Sequence, residues 1–133
     1  MEKMSDTLAL IGRVLLAYLF IPAGAAKMVA FEGSVVYAAS AGMPLPELGV
    51  ALGLVIELVG GILLLIGWKT RYASAVLAFF TVVAAFTFHA FWSLPVEQAA
   101  LQEILFNKDV AIVGGLLAFT AFGAGAWSWD AKR

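Results

Sequence analysis

Hydrophobic residues along this chain fall into four long runs, Leu8 to Val29, Leu48 to Trp68, Tyr72 to Trp92 and Val110 to Trp127. Each is about 20 residues, the length a helix rising 1.5 Å per residue needs to cross the roughly 30 Å hydrocarbon core of a bilayer. Backbone amides in hydrocarbon must find partners within their own segment, so four such runs predict helices rather than barrel strands. The expected fold is all-α: a single domain over residues 1–133 forming a four-helix transmembrane bundle. The first run ends in small residues, as a signal peptide does. It is too long for a signal-peptide core and contains Arg13, so it is read as a retained span.

Between the first two runs lies FEGSVVYAASAGMPLPEL, in which Phe31, Val35, Val36 and Ala39 recur at helical spacing. That pattern predicts a short interfacial helix, stopped by Gly42, Pro44 and Pro46 before the second span. The break between the second and third runs is so short that those helices are expected to be antiparallel neighbours. Placing both termini and this turn on one side gathers Lys3, Lys69, Arg71, Lys132 and Arg133 there and leaves Lys27 and Lys108 opposite. The excess of positive charge on internal loops then predicts cytoplasmic termini. Trp68, Tyr72, Trp92, Trp127 and Trp129 fall where interfacial aromatic anchors are expected.

Composition removes several alternatives. The chain is 63% hydrophobic and 13% charged, against about 45–50% apolar residues in soluble domains, and its mean hydropathy is +0.99. Eight Lys and Arg oppose nine Asp and Glu, which leaves no basic surface for nucleic acid. The absence of cysteine excludes thiol redox chemistry, disulfides and thiolate-bound iron–sulfur clusters in this chain. The single histidine, His89, cannot supply both axial ligands of a haem, and no set of residues with metal-ligand spacing is present. No metal and no covalently bound cofactor is expected.

Polar residues inside the runs carry the remaining chemistry. In the first span Arg13, Ala17, Phe20, Gly24 and Lys27 share one stripe at alternating steps of four and three. In the second, Gly49, Gly53, Glu57 and Gly61 recur at steps of four, so Glu57 interrupts a small-residue face that lets helices approach closely. Ser74, Ala78, Thr81, Ala85 and His89 mark the third span; Gly114, Ala118, Ala121 and Gly125 mark the fourth. A carboxylate at mid-span is costly unless paired. Arg13 is the expected partner of Glu57, with Asp130 competing for the arginine. At the outer ends Lys27, His89, Trp92, Lys108 and Asp109 are expected to form a polar, aromatic-rimmed mouth. As simple packing features these would be snorkelling lysines, an Asp109 interacting with a helix dipole and an interfacial histidine. As a site they would hold a polar ligand head, with histidine the residue type that exchanges protons near neutrality.

With these residues placed, the chain resembles the DoxX family, small four-helix membrane proteins of bacteria and archaea. The resemblance covers nearly the whole length. It rests on Arg13 followed by FIPAGAAK, on GMPLPEL, on GLVIELVGGILLLIGWKTR, on FHAFW around His89, and on FNKDVAIVGGLLAF running into GAGAWSWD. Asp109, where the family pattern has Asn after Lys, and Trp129 depart from it. The family is named for a subunit associated with an archaeal quinol oxidase, and related members are linked to membrane oxidoreductase complexes. The resemblance therefore implies a cytoplasmic (inner) membrane location, redox partner subunits and a quinone as candidate ligand. It does not imply catalysis by the isolated chain. The ligand or proton-handling candidates are Arg13, Lys27, Glu57, His89, Lys108 and Asp109. Competing readings are a proton-coupled transporter or exporter subunit, which with four helices would need a homo-oligomer, and a scaffold whose buried charges only fix helix register.

Overall fold

The computed structural model describes residues 2–132, and among them there is no strand. Five helices follow one another: α1 (Glu2–Val29), α2 (Phe31–Ser40), α3 (Pro46–Ile66), α4 (Thr70–Phe88) and α5 (Val96–Phe122), with short 3-10 turns at Phe91–Ser93 and Asp130–Lys132. Helices α1, α3 and α5, and α4 together with the turn that follows it, are long and apolar enough to cross a membrane. α2 is the short helix expected between the first and second spans.

Several boundaries differ from the hydrophobic runs. α5 begins at Val96, not Val110, because Glu97, Gln98, Gln102, Glu103 and Lys108 are good helix formers that are merely too polar for an apolar window. The same helix stops at Phe122, where Gly123 turns to φ 82° and its N–H caps back onto the Phe119 carbonyl. Trp127 and Gly125 therefore lie beyond the helix. α4 ends at Phe88, leaving His89 and Trp92 past its C-terminus.

The turn between α3 and α4 uses Gly67 at φ 71°, with the N–H groups of Gly67 and Trp68 both bonded to the Leu63 carbonyl. Glycine enters this left-handed conformation without steric cost, which closes the helix. Residues 123–132 then fold back across the same end. Trp129 N–H donates to Ile66 O at 3.0 Å and Asp130 N–H to Gly67 O at 2.8 Å. The Asp130 carboxylate accepts from the amides of Lys69 at 2.7 Å and Thr70 at 3.0 Å, capping α4 from across the chain. This closed end is called the inner end below, and the opposite one the outer end.

Around the bundle, α1 packs on α3, α3 on α4 and α4 on α5, while α5 and α1 hardly touch. The core of Phe20, Leu64, Leu77, Ala78 and Leu116 fills the inner half. Close approach of α1 and α3 depends on two glycines. A Cβ at Gly24 would stand 3.1 Å from the Leu54 carbonyl oxygen, and one at Gly61 would stand 3.2 Å from the Ile21 nitrogen. Gly53 admits the Phe80 ring, and Gly49 accommodates Met43 of the α2–α3 turn. The remaining two expected packing glycines do otherwise. Gly114 faces open space, and Gly125 occupies the loop after α5 at φ 85°. Consistently, Leu116 is the buried residue of α5.

Candidate functional site: an ionisable cavity in the outer half

Helix direction decides which charges meet. Side chains on an α-helix lean toward its N-terminus. α1 runs from inner to outer end, so Arg13 and Lys27 both reach back toward the inner end. α3 runs the opposite way, so Glu57 reaches toward the outer end. Lys27 and Glu57 converge: Nζ donates to Oε1 at 2.6 Å, with the glutamate side chain 7% exposed and the lysine 29%. The lysine does not snorkel outward.

Arg13 leans away from Glu57, and the pair expected from the sequence is not formed. Its guanidinium is fully buried. Nε donates to Ala124 O at 3.1 Å, Nη1 to Leu64 O at 3.0 Å and Leu65 O at 3.1 Å, and Nη2 to Trp127 O. The last carbonyls of a helix lack intrahelical partners, and a planar fork of five donors can satisfy several at once. Asp130, the competing partner, lies near enough to act on Arg13 electrostatically while it caps α4. Arg13 is thus a clamp at the inner end, remote from the other ionisable candidates.

Above the apolar core a cavity of about 620 Å³ extends to the outer end. Leu19, Phe20, Ala23 and Ala26 of α1 form one wall, Phe80, Ala84 and Phe88 of α4 another, and Gly33, Ser34 and Tyr37 of α2 the roof. Tyr37 stacks on Phe88 with ring centroids 5.2 Å apart and planes within 7°. Besides Tyr37, four acidic or basic residues line this space: Lys27, Glu57, His89 and Asp109. Gln102 Oε1 accepts from His89 Nδ1 at 2.7 Å, which orients the ring and turns Nε2 toward Asp109 Oδ2, 3.8 Å away. That gap exceeds a hydrogen bond. A ligand oxygen or a water molecule lying beside the two atoms, off the line that joins them, can contact both and relay a proton.

Lys108 is exposed and does not line the cavity. Trp92 is also outside it, packed with Phe86, Phe91 and Phe106 in a ring cluster that fastens the 3-10 turn to α5. No motif or spacing points to Gln102, which sits in the polar first half of α5, or to Tyr37, which the cavity recruits from α2. Among the described residues no three His, Asp or Glu side chains gather as metal ligands. A second cavity, apolar and about 560 Å³, lies beyond Phe80, Ala84 and Phe88, beneath the α2–α3 turn.

Comparison with known proteins agrees with this architecture. The chain is 34% identical over 125 residues to "Inner membrane protein YphA" of Escherichia coli K12, covering 94% of this chain and 89% of that protein. It is 35% identical over 132 residues to "Inner membrane protein YqjF" of the same organism, covering 98% and 95%. A more distant relative, "Surfeit locus protein 4 homolog" of Schizosaccharomyces pombe, is 31% identical over 126 residues, which span 93% of this chain and 37% of that longer protein. No solved structure matches. Residues 8–90 match the DoxX family profile. Four membrane-crossing helices, the matched segment and near full-length relatives together establish that the chain is an integral membrane protein belonging to the DoxX family.

Proposed function

We propose that this chain is a non-catalytic subunit of a quinone-linked oxidoreductase assembly in the bacterial inner membrane, and that the outer-half cavity receives the quinone ring. The observation that carries this is the convergence of Lys27, Glu57, His89 and Asp109 on one cavity whose walls are otherwise apolar. A quinone needs an apolar slot, donors for two carbonyl oxygens and groups that manage protons. Lys27 Nζ supplies one donor and His89 Nε2, in the imidazolium form, the other, while the Phe80 and Phe88 rings give an apolar surface. The volume falls in the range of small-molecule sites. Bound there, a quinone would supply two-electron chemistry, with electrons coming from a partner subunit. The chain's own work is to hold and orient the ring and to pass protons between His89 and Asp109. The positive charge of Lys3, Lys69, Arg71 and Lys132 at the inner end supports a cytoplasmic inner end, and in that orientation the cavity would belong to the periplasmic half of the bilayer.

The test is purification in mild detergent followed by solvent extraction and optical quantitation of quinone. Near-stoichiometric quinone that falls at least fivefold in Glu57→Gln and His89→Ala is expected. Quinone no more abundant than in an equal amount of an unrelated membrane protein from the same membranes would reject the reading. The buried Lys27 and Glu57 pair also suits a proton-coupled transporter. In that case Glu57→Gln would abolish pH-driven flux in proteoliposomes.

A further inference from the structure

The ring of helices is incomplete, and the gap is uneven. Toward the inner end α1 and α5 are drawn together. A Cβ at Gly12 would stand 3.0 Å from the Phe119 ring, and Arg13 ties α1 to Ala124 and Trp127 just beyond α5. Outward of that point, among the described residues, no side-chain hydrogen bond or ion pair joins the two helices. Asp109 is the α5 residue that reaches the cavity, and on the α1 side Leu19 and Ala26 are exposed and Ala23 half-buried. The outer end, in contrast, is roofed by α2, with Tyr37 stacked on Phe88. The ionisable cavity thus borders hydrocarbon through a side seam, and charges in that position are costly unless paired or covered.

We propose that this seam is a lateral portal: the cavity takes an amphiphile from within the bilayer, its uncharged head lodged among the ionisable residues and its apolar chain trailing out between α1 and α5. The head rests on the quinone reading above; the route and the need for a chain go beyond it. Charge argues for an uncharged head. Lys27 is already matched by Glu57, and Asp109 faces His89, so no free cation waits for an anionic head such as a phosphate. An uncharged head bearing carbonyl or hydroxyl groups can also leave hydrocarbon without the solvation penalty of an ion.

The experiment measures association rates and affinities by quenching of intrinsic tryptophan fluorescence in nanodiscs of phosphatidylethanolamine and phosphatidylglycerol. The probes are a decyl-chain ubiquinone analogue, the same ring without the chain, and 4-dodecylphenol, which does not quench tryptophan and is followed instead as radiolabel taken up by loaded over empty nanodiscs. Ala23→Phe narrows the seam, whereas Ser34→Phe, at a half-buried position of α2 that lines the cavity, fills the roof. Ala26→Phe, at an exposed position, replaces Ala23→Phe if that variant does not yield a monodisperse protein. After correction for partition into empty nanodiscs, the wild type is expected to bind the decyl probe at least tenfold tighter than the bare ring. The seam variant should slow decyl association at least tenfold and the roof variant less than twofold. Equal effects, or the reverse order, would overturn the portal while leaving a quinone site in place. Seam-dependent binding of the phenol with no binding of either quinone would keep the portal and reject the quinone reading. Binding of none of the three would reject both.

Discussion

Lys27 and Arg13 leave the same helix in the same direction and meet opposite fates: one reaches a carboxylate, the other a set of carbonyls. Each predicts a distinct loss. Lys27→Met strands Glu57, 7% exposed, and removal of one partner from a buried pair costs about 3–5 kcal/mol. Lys27→Met combined with Glu57→Leu should recover most of that, because neither charge is then left alone; unfolding in detergent, followed by circular dichroism, compares the single and double variants. Arg13→Met deprives carbonyls in two separate segments of their donor. A hydrogen bond from a charged group is worth about 1.5–3 kcal/mol, so the expected loss is at least that of Lys27→Met. Arg13→Lys should restore little, since one ammonium cannot reproduce the guanidinium fork. The stripes on which these residues lie were readable from spacing alone. Their pairing was not, because Cα heights make Arg13 look within reach of Glu57 while the lean of side chains along each helix carries the two apart. Three of the cavity's four charges were anticipated as an outer mouth. Glu57 joined them only because it leans outward.

Among elements, the four spans and the α2 helix followed from hydrophobic periodicity, whereas the first half of α5 did not, because a helix that is polar there resembles a loop to any search for apolar runs. The fourth span's small face was legible as a pattern and misleading as packing. Gly114 has no neighbour, whereas Gly61 on α3 touches the α1 backbone. The contrast is testable. Gly61→Val forces α1 and α3 apart and is expected to cost about 1–3 kcal/mol, as overpacking does. Gly114→Ala should instead stabilise by about 0.5–1 kcal/mol through helix propensity. Thermal midpoints of the two variants in the same detergent should move in opposite directions. The docking of residues 123–132 against the α3–α4 turn could not be read from sequence, since Asp130 caps a helix that begins 60 residues earlier in the chain.

For the whole molecule, sidedness is open to direct measurement because the chain contains no cysteine. A cysteine at Gln98 should react with an impermeant maleimide in intact cells whose outer membrane has been made permeable. One at Lys132 should react only after the inner membrane is lysed; the opposite result would invert the orientation and move the cavity to the cytoplasmic leaflet. The inner-end clamp also has a consequence in time. Arg13 lies 111 residues before Ala124, whose carbonyl it binds. At about 5–20 residues per second, synthesis separates the two by roughly 5–20 s. Until then two of the arginine's four carbonyl partners are missing, and its position near one end of the span lets water and lipid headgroups serve the unused donors. The clamp therefore closes in two stages: its bonds to Leu64 and Leu65 become available with α3, which Lys27 and Glu57 also tie to α1, whereas those to Ala124 and Trp127 wait for the last segment described.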